Sequence, residues 1–80
     1  MARPINEVAQ DIWAEWEKVN YAALPYLQAM LELDKPSDTF GPGRESGTMI
    51  VTYFLNNASS FRGPRAKELK AELKQLIGRS

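Results

Sequence analysis

The run TMIVTYFL, at positions 48–55, constrains the fold more than any other part of the sequence. β-Branched and aromatic residues dominate it, and taken alone it would suit a buried β-strand. The chain has no second run of this kind, and a lone strand would leave its backbone hydrogen-bonding groups without partners. We therefore predict a helix that continues to Phe61; the alternative is a strand that pairs between two chains.

This helix would carry apolar side chains over about 240° of its circumference. The polar residues Thr52, Asn56 and Ser59 fall on the narrow remainder. A helix that is apolar over so much of its surface is typical of the centre of a small domain. We predict that this third helix is central.

Helical periodicity recurs in three other segments. The first, PINEVAQDIWAEWEKV, has Pro4 at a suitable first position and Trp13 at the edge of its apolar stripe. The second is NYAALPYLQAMLEL, in which Pro25 predicts a break or kink between residues 20 and 25. The last, PRAKELKAELKQLI, has high helix propensity and stops at Gly78. The expected fold is all-α, a small bundle of three or four helices.

The predicted helices supply one expected core. Its members are Ile12, Trp16, Leu27, Leu31, Ile50, Phe54, Phe61, Leu69 and Leu73.

Residues 34–47, DKPSDTFGPGRESG, hold two of the five prolines and three of the five glycines and show no regular period. They predict a long, solvated loop before the third helix. A phosphate-binding loop would need a glycine where Ser46 stands and a lysine after it, and neither is present. Ser46 is expected to cap the third helix. The alternative is an anion bound near Ser46 and Gly47, with Arg44 beside it.

Length and composition exclude several classes of function. Eighty residues predict one domain, spanning 1–80, and the absence of cysteine and histidine removes disulfides, thiolate nucleophiles, imidazole bases and the commonest transition-metal ligands. We predict no catalytic, cofactor-binding or metal-binding residue, and no enzyme activity. The N-terminus lacks the apolar run of a secretory signal, and residues 46–61 are too short and too polar to span a membrane. The expected location is the cytoplasm, without a membrane partner.

Charge is distributed unevenly along the chain. Residues 1–50 carry four positive and eight negative side chains, whereas residues 51–80 carry six positive and two negative ones. An acidic row on the first helix and a lysine row on the last have matching spacing. They consist of Glu7, Asp11 and Glu15, and of Lys67, Lys70 and Lys74. We predict that the two rows offset one another, within the fold or across a dimer.

The stretch SSFRGPRAKELK, residues 59–70, is interpreted chiefly as a helix start. Ser60 or Gly63 is expected near the N-cap, Pro64 in the first turn, and Phe61 in the core. The alternative is a grip on nucleic acid, in which the basic side chains contact successive phosphates and Phe61 stacks on a base. Core packing is preferred for Trp13, although an exposed Trp13 would anchor a partner. The candidate contact residues are Trp13, Arg62, Arg65, Lys67, Lys70 and Lys74.

The segments NYAALPYLQAM, IVTYFLNNASSFRG and AKELKAELK together resemble a group of small helical proteins from actinobacteria and their phages, over about residues 13–77. In that group an aromatic residue followed by Arg-Gly opens the last helix after an Asn-Ala pair. Here the match is Phe61-Arg62-Gly63 after Asn57-Ala58, and Pro64 is a departure. The resemblance implies a phage or prophage origin and no particular activity.

The sequence as a whole predicts a non-enzymatic helical module that interacts with an unidentified protein or with itself. The alternative function is nucleic-acid binding by the basic C-terminal helix.

Overall fold

The computed structural model describes residues 3–41 and 43–78, which form four helices and a small two-stranded sheet. In chain order these are α1 (Ile5–Glu15), α2 (Leu24–Met30), β1 (Thr39–Phe40), β2 (Glu45–Ser46), α3 (Gly47–Asn56) and α4 (Pro64–Leu76). The prediction of a mostly helical domain is confirmed. The run TMIVTYFL lies within α3, so the alternative of an intermolecular strand is wrong.

The helices pack in a series rather than around α3. α1 lies against α4 and also contacts α2, while α2 is the main helical neighbour of α3. The prediction that α3 is central is therefore wrong. One side of α3 faces solvent, where Met49 is 45% exposed and Tyr53 is 37% exposed.

The core has an aromatic cluster at its centre. The ring of Trp16 lies edge-on to Phe54 at 6.1 Å and stacks on Phe61 at 5.0 Å. Trp16 follows the last residue of α1, Phe54 belongs to α3, and Phe61 precedes α4, so this cluster joins three segments of the chain. Of the nine core residues predicted from the sequence, eight are buried and Leu31 is half-buried against the others.

The predicted break near Pro25 is confirmed. The Asn20 side chain accepts a hydrogen bond from the N–H of Ala22 at 3.0 Å, and the Asn20 carbonyl accepts from Ala23 and Leu24. A turn therefore precedes α2, and Pro25 falls in the first turn of the helix, where its missing N–H leaves no bond unmade.

α3 is shorter than predicted. It ends at Asn56, and the side-chain amide of Asn57 donates to the Tyr53 carbonyl at 2.8 Å, which satisfies one of the last carbonyls of the helix. Ala58 and Phe61 are buried from the connection between α3 and α4 instead of from the helix itself. Gly63, with φ of 116°, is the N-cap of α4, as expected.

The segment predicted as a featureless loop contains a β-hairpin. Thr39 pairs with Ser46, and Phe40 pairs with Glu45, in antiparallel register. The turn between the strands includes Gly41 at φ of 80°. Two residues per strand are too few to show a period of two in the sequence, which is why the hairpin was not predicted.

Residues 33–38, which we call the joint segment, hold the start of α1. The N–H groups of Ile5 and Asn6 donate to the carbonyls of Asp34 and Leu33, each at 2.9 Å, and the Asn6 side chain also donates to Leu33. The first N–H groups of a helix have no partner inside that helix. The joint segment supplies two of these partners through its backbone.

The same segment holds the start of α3. The N–H of Gly47 donates to the Asp38 carbonyl at 2.7 Å, and the N–H of Thr48 donates to the Pro36 carbonyl at 3.1 Å. The backbones approach so closely that a β-carbon on Gly47 would lie 3.0 Å from the carbonyl oxygens of Lys35 and Pro36. Glycine therefore allows a close contact between the joint segment and α3 that a larger residue would push apart.

The carboxylate of Asp38 shapes the joint segment from within. Its Oδ2 accepts hydrogen bonds from the N–H groups of Lys35 at 3.0 Å and Asp34 at 3.1 Å. These two bonds lower the pKa of Asp38 below its ordinary value because they favour the charged carboxylate. The Asp38 carboxylate therefore stabilises the turn that presents the four carbonyls, together with a backbone bond from the Asp38 N–H to the Lys35 carbonyl at 2.9 Å.

We expect Gly47→Ala to destabilise the fold by about 1 to 3 kcal/mol, because the added methyl group meets backbone that cannot move aside. Alanine would otherwise be favoured over glycine in a helix by up to about 1 kcal/mol. The measurement is urea unfolding, with Gly43→Ala as the control, since a β-carbon there meets only the Glu45 side chain at 4.0 Å. A Gly47→Ala variant as stable as the parent would contradict the close approach.

Truncation of Phe54 to alanine should cost about 3 to 5 kcal/mol, since it leaves a cavity within the aromatic cluster. Tyr21→Ala is the control, because Tyr21 is 87% exposed and should change stability by no more than about 0.5 kcal/mol. Denaturant unfolding of both variants checks the difference, and equal losses would place Phe54 outside the core.

Candidate functional site

The acidic row does not pair with the lysine row. Asp11 contacts Arg3 at 2.6 Å and Arg65 at 3.1 Å, and Arg3 also contacts Glu72 at 2.8 Å. The pKa of Arg3 is raised above its ordinary value by its hydrogen bonds to Glu72 and Asp11. α1 and α4 do face each other, but arginine replaces lysine in the ion pairs, so the prediction is wrong for pairing of the two rows within the fold. The reason is that Arg65 and Glu72 occupy the side of α4 next to α1. Pairing of the rows across a dimer stays a prediction.

A second group of basic residues, which we call the lysine face, lies away from this contact. It consists of Arg62, Lys67, Lys70 and Lys74. Within residues 3–41 and 43–78, none of the four has a carboxylate within ion-pairing distance. The pKa of Lys70 is lowered by partial burial and further by the charges of Lys74 and Arg62, so these cations lie near one another. The lysine face is a concentration of positive charge.

Phe61 and Arg65 do not suit the nucleic-acid contacts given to them, whereas Trp13 is exposed. Phe61 is 4% exposed, stacks on Trp16 and lies beneath the Lys70 ammonium at 5.8 Å from the ring centroid. Its predicted place in the core is confirmed, and it has no free face for a base. Arg65 forms an ion pair with Asp11. Trp13 is 49% exposed, so the preference for core packing of Trp13 is wrong.

The start of α3 is occupied by the chain itself. The Ser46 hydroxyl accepts from the N–H of Met49 at 3.2 Å, which confirms Ser46 as the cap. The two preceding N–H groups, of Gly47 and Thr48, donate to the joint segment. Three N–H groups that would otherwise attract an anion are therefore engaged, and the alternative of an anion site is wrong.

A groove of about 270 Å³ opens between the hairpin, α2 and α3. Drug-sized ligands and cofactors occupy pockets of about 300 to 1,000 Å³, so this groove is better matched to one or two side chains. Beside it the ring of Tyr53 lies 5.5 Å from that of Tyr26. We call this surface the apolar face, formed by Tyr26, Phe40, Met49, Ile50 and Tyr53.

The apolar face was missed by the search for site residues in the sequence. One signal was present, because the apolar circumference of α3 is wider than a single core contact requires. The apolar face also includes Phe40, which the hairpin places at the groove beside α2. Among the residues that the structure describes, five large apolar side chains are exposed. Of these, Phe40 lines the groove, Tyr53 lies beside Tyr26, and Met49 is one helical turn before Tyr53 on α3.

Three further features could indicate a functional site in the remaining described residues: buried polar groups, metal-binding clusters and membrane-spanning helices. No polar or charged side chain is buried among the residues that the structure describes. In the same ranges, no three acidic side chains come together as a metal site. None of the four helices is both long and apolar enough to cross a lipid bilayer.

No family model, curated protein or solved structure matches the chain. The resemblance to small helical proteins of actinobacteria and their phages therefore stays a prediction.

Proposed function

We propose that the protein is a non-enzymatic interaction module that self-associates through the apolar face. The observation that carries this proposal is that Phe40, Met49 and Tyr53, which are 40%, 45% and 37% exposed, lie on the two elements, the hairpin and α3, that border the groove. Aromatic residues and methionine are enriched in protein interfaces. Large apolar side chains gathered around a groove lose water when a second protein covers them, and this stabilises the complex.

A second copy of the chain is the partner that suits the charges on this surface. Arg44 and Glu45 are adjacent in the hairpin, both are exposed, and Glu45 lines the groove. In a two-fold dimer the same surface meets itself, so Arg44 of one copy can approach Glu45 of the other, and the reverse. An exposed basic and an exposed acidic residue side by side at the edge of the face would support pairing with a second copy.

The charge of the whole chain also favours association. Its ten basic and ten acidic side chains give a formal net charge of zero, so two copies do not repel each other strongly. Proteins close to zero net charge associate more readily than strongly charged ones. The hairpin is also held where it meets α3, because the N–H of Gly47, the residue after β2, donates to the Asp38 carbonyl in the joint segment.

Met49→Glu tests the proposal without harming the helix. Met49 is the third residue of α3, after the Ser46 cap, where glutamate is favoured by the helix dipole and by the capping-box pattern. In a dimer the same carboxylate would be buried against apolar groups, at a cost of about 2 kcal/mol or more, which is about 30-fold in affinity. We expect the parent to show a mean mass that rises with concentration in sedimentation, and the variant to remain monomeric.

Tyr21→Glu is the matched control, because it introduces the same charge at a residue that is 87% exposed and outside the apolar face. It should associate as the parent does. A parent protein that stays monomeric at every concentration would contradict self-association, and loss of association in both variants would show that charge, and not this face, decides it. Circular dichroism checks that both variants remain helical.

A further inference from the structure

Within residues 3–41 and 43–78, the lysines of α4 form no ion pair with a carboxylate. Residues three and four positions apart are neighbours on a helix surface. Lys70 has Lys67 and Lys74 at those distances, and neither Lys67 nor Lys74 has an acidic residue there. Like charges at this spacing destabilise a helix. The arrangement is unfavourable for the isolated chain.

The fold does not relieve this repulsion. Glu72, a carboxylate of the same helix, is bound to Arg3 through two hydrogen bonds at 2.8 and 2.9 Å. Arg62 adds a fourth cation. Its Nε donates to the Ser59 carbonyl at 3.2 Å, and this bond restricts the position of the guanidinium group. Lys74 and Arg62 thus lie near Lys70, and Lys67 lies one turn before it on the helix. An external polyanion is the kind of ligand that would neutralise these cations.

We propose that the lysine face binds the phosphate backbone of duplex nucleic acid without reading its base sequence. Lys67 and Lys74 are separated by seven residues of rigid helix, about 10 Å along its axis. Duplex DNA presents about one negative charge per 1.7 Å of its axis, so several phosphates lie within that length. Contacts of this kind need cations alone and carry no sequence information.

A duplex fits the face better than a single strand. Proteins that bind single strands without sequence preference stack bases on aromatic side chains. The aromatic side chains beside Arg62 are Trp16 and Phe61, which stack on each other and are 7% and 4% exposed, so neither offers a ring face to a base. The face offers charge without a stacking surface.

A membrane surface fits less well for a related reason. Helices that lie on membranes insert large apolar side chains next to their basic residues. In the described part of the chain the exposed large apolar residues are Trp13, Tyr21, Phe40, Met49 and Tyr53, and none belongs to α4. The lysine face therefore lacks the apolar component of a membrane anchor.

The test is fluorescence anisotropy with a labelled duplex DNA of mixed sequence, at several salt concentrations. All variants carry Met49→Glu, so that self-association does not enter the measurement. Three to four phosphate contacts should give a slope of log K against log salt of about −3. Adding Lys67→Gln and Lys74→Gln should flatten the slope by about 1.8, one 0.9 step per lost contact. Lys70 is retained because it packs on Phe61.

The matched control is Lys35→Gln with Arg44→Gln, which removes the same charge from exposed residues elsewhere. It should leave the slope unchanged, and Lys67→Arg with Lys74→Arg should restore it. The proposal is overturned if the duplex does not bind, if the control pair flattens the slope equally, or if a single strand binds more tightly than the duplex. Binding to anionic lipid vesicles in place of the duplex, lost in the Lys67→Gln and Lys74→Gln variant, would assign the face to membranes and also overturn it.

Discussion

The fold depends on the backbone carbonyls of residues 33–38, which hold the starts of two helices. Leu33 and Asp34 receive the first N–H groups of α1, while Pro36 and Asp38 receive those of α3. Buried or half-buried N–H groups without partners are costly, so a domain of 80 residues gains much from one segment that satisfies both sets. The joint segment thus contacts the N-terminal ends of α1 and α3, while Trp16, at the other end of α1, packs against Phe54 of α3.

The two candidate surfaces follow from this framework. With α3 started at Gly47, the hairpin that precedes it lies over α2, and this brings Phe40 to the groove lined by Tyr26 and Ile50. In the α1–α4 pair, Arg65 of α4 faces Asp11 of α1. Because this side of α4 is turned toward α1, the lysines of α4 lie on its other sides. The position of each surface is therefore set by which side of its helix packs against the rest of the fold.

Sequence reasoning succeeded where a pattern was long and failed where a contact was made by few residues. TMIVTYFL was assigned correctly because no strand partner exists, and Trp16, Phe54 and Phe61 were placed in the core from helical periodicity and size. The hairpin was missed because each strand has two residues. The pairing of Asp11 was missed because Arg3 precedes the first helix, and such a contact between distant parts of the chain leaves no period. Hydrogen bonds that backbone carbonyls accept do not depend on the side chains of the accepting residues, so the sequence does not reveal them.

Amide hydrogen exchange in an Asp38→Ala variant is the most direct test of the joint segment. Removal of the carboxylate frees the N–H groups of Asp34 and Lys35, so the turn loosens and its carbonyls no longer hold either helix start. The control is Asp34→Ala, which removes the same charge from a neighbouring exposed residue. We predict that exchange accelerates together at Ile5 and Asn6 of α1 and at Gly47 and Thr48 of α3, and that it does so only in Asp38→Ala. Faster exchange at one helix start alone, or at neither, would contradict the claim that a single segment secures both.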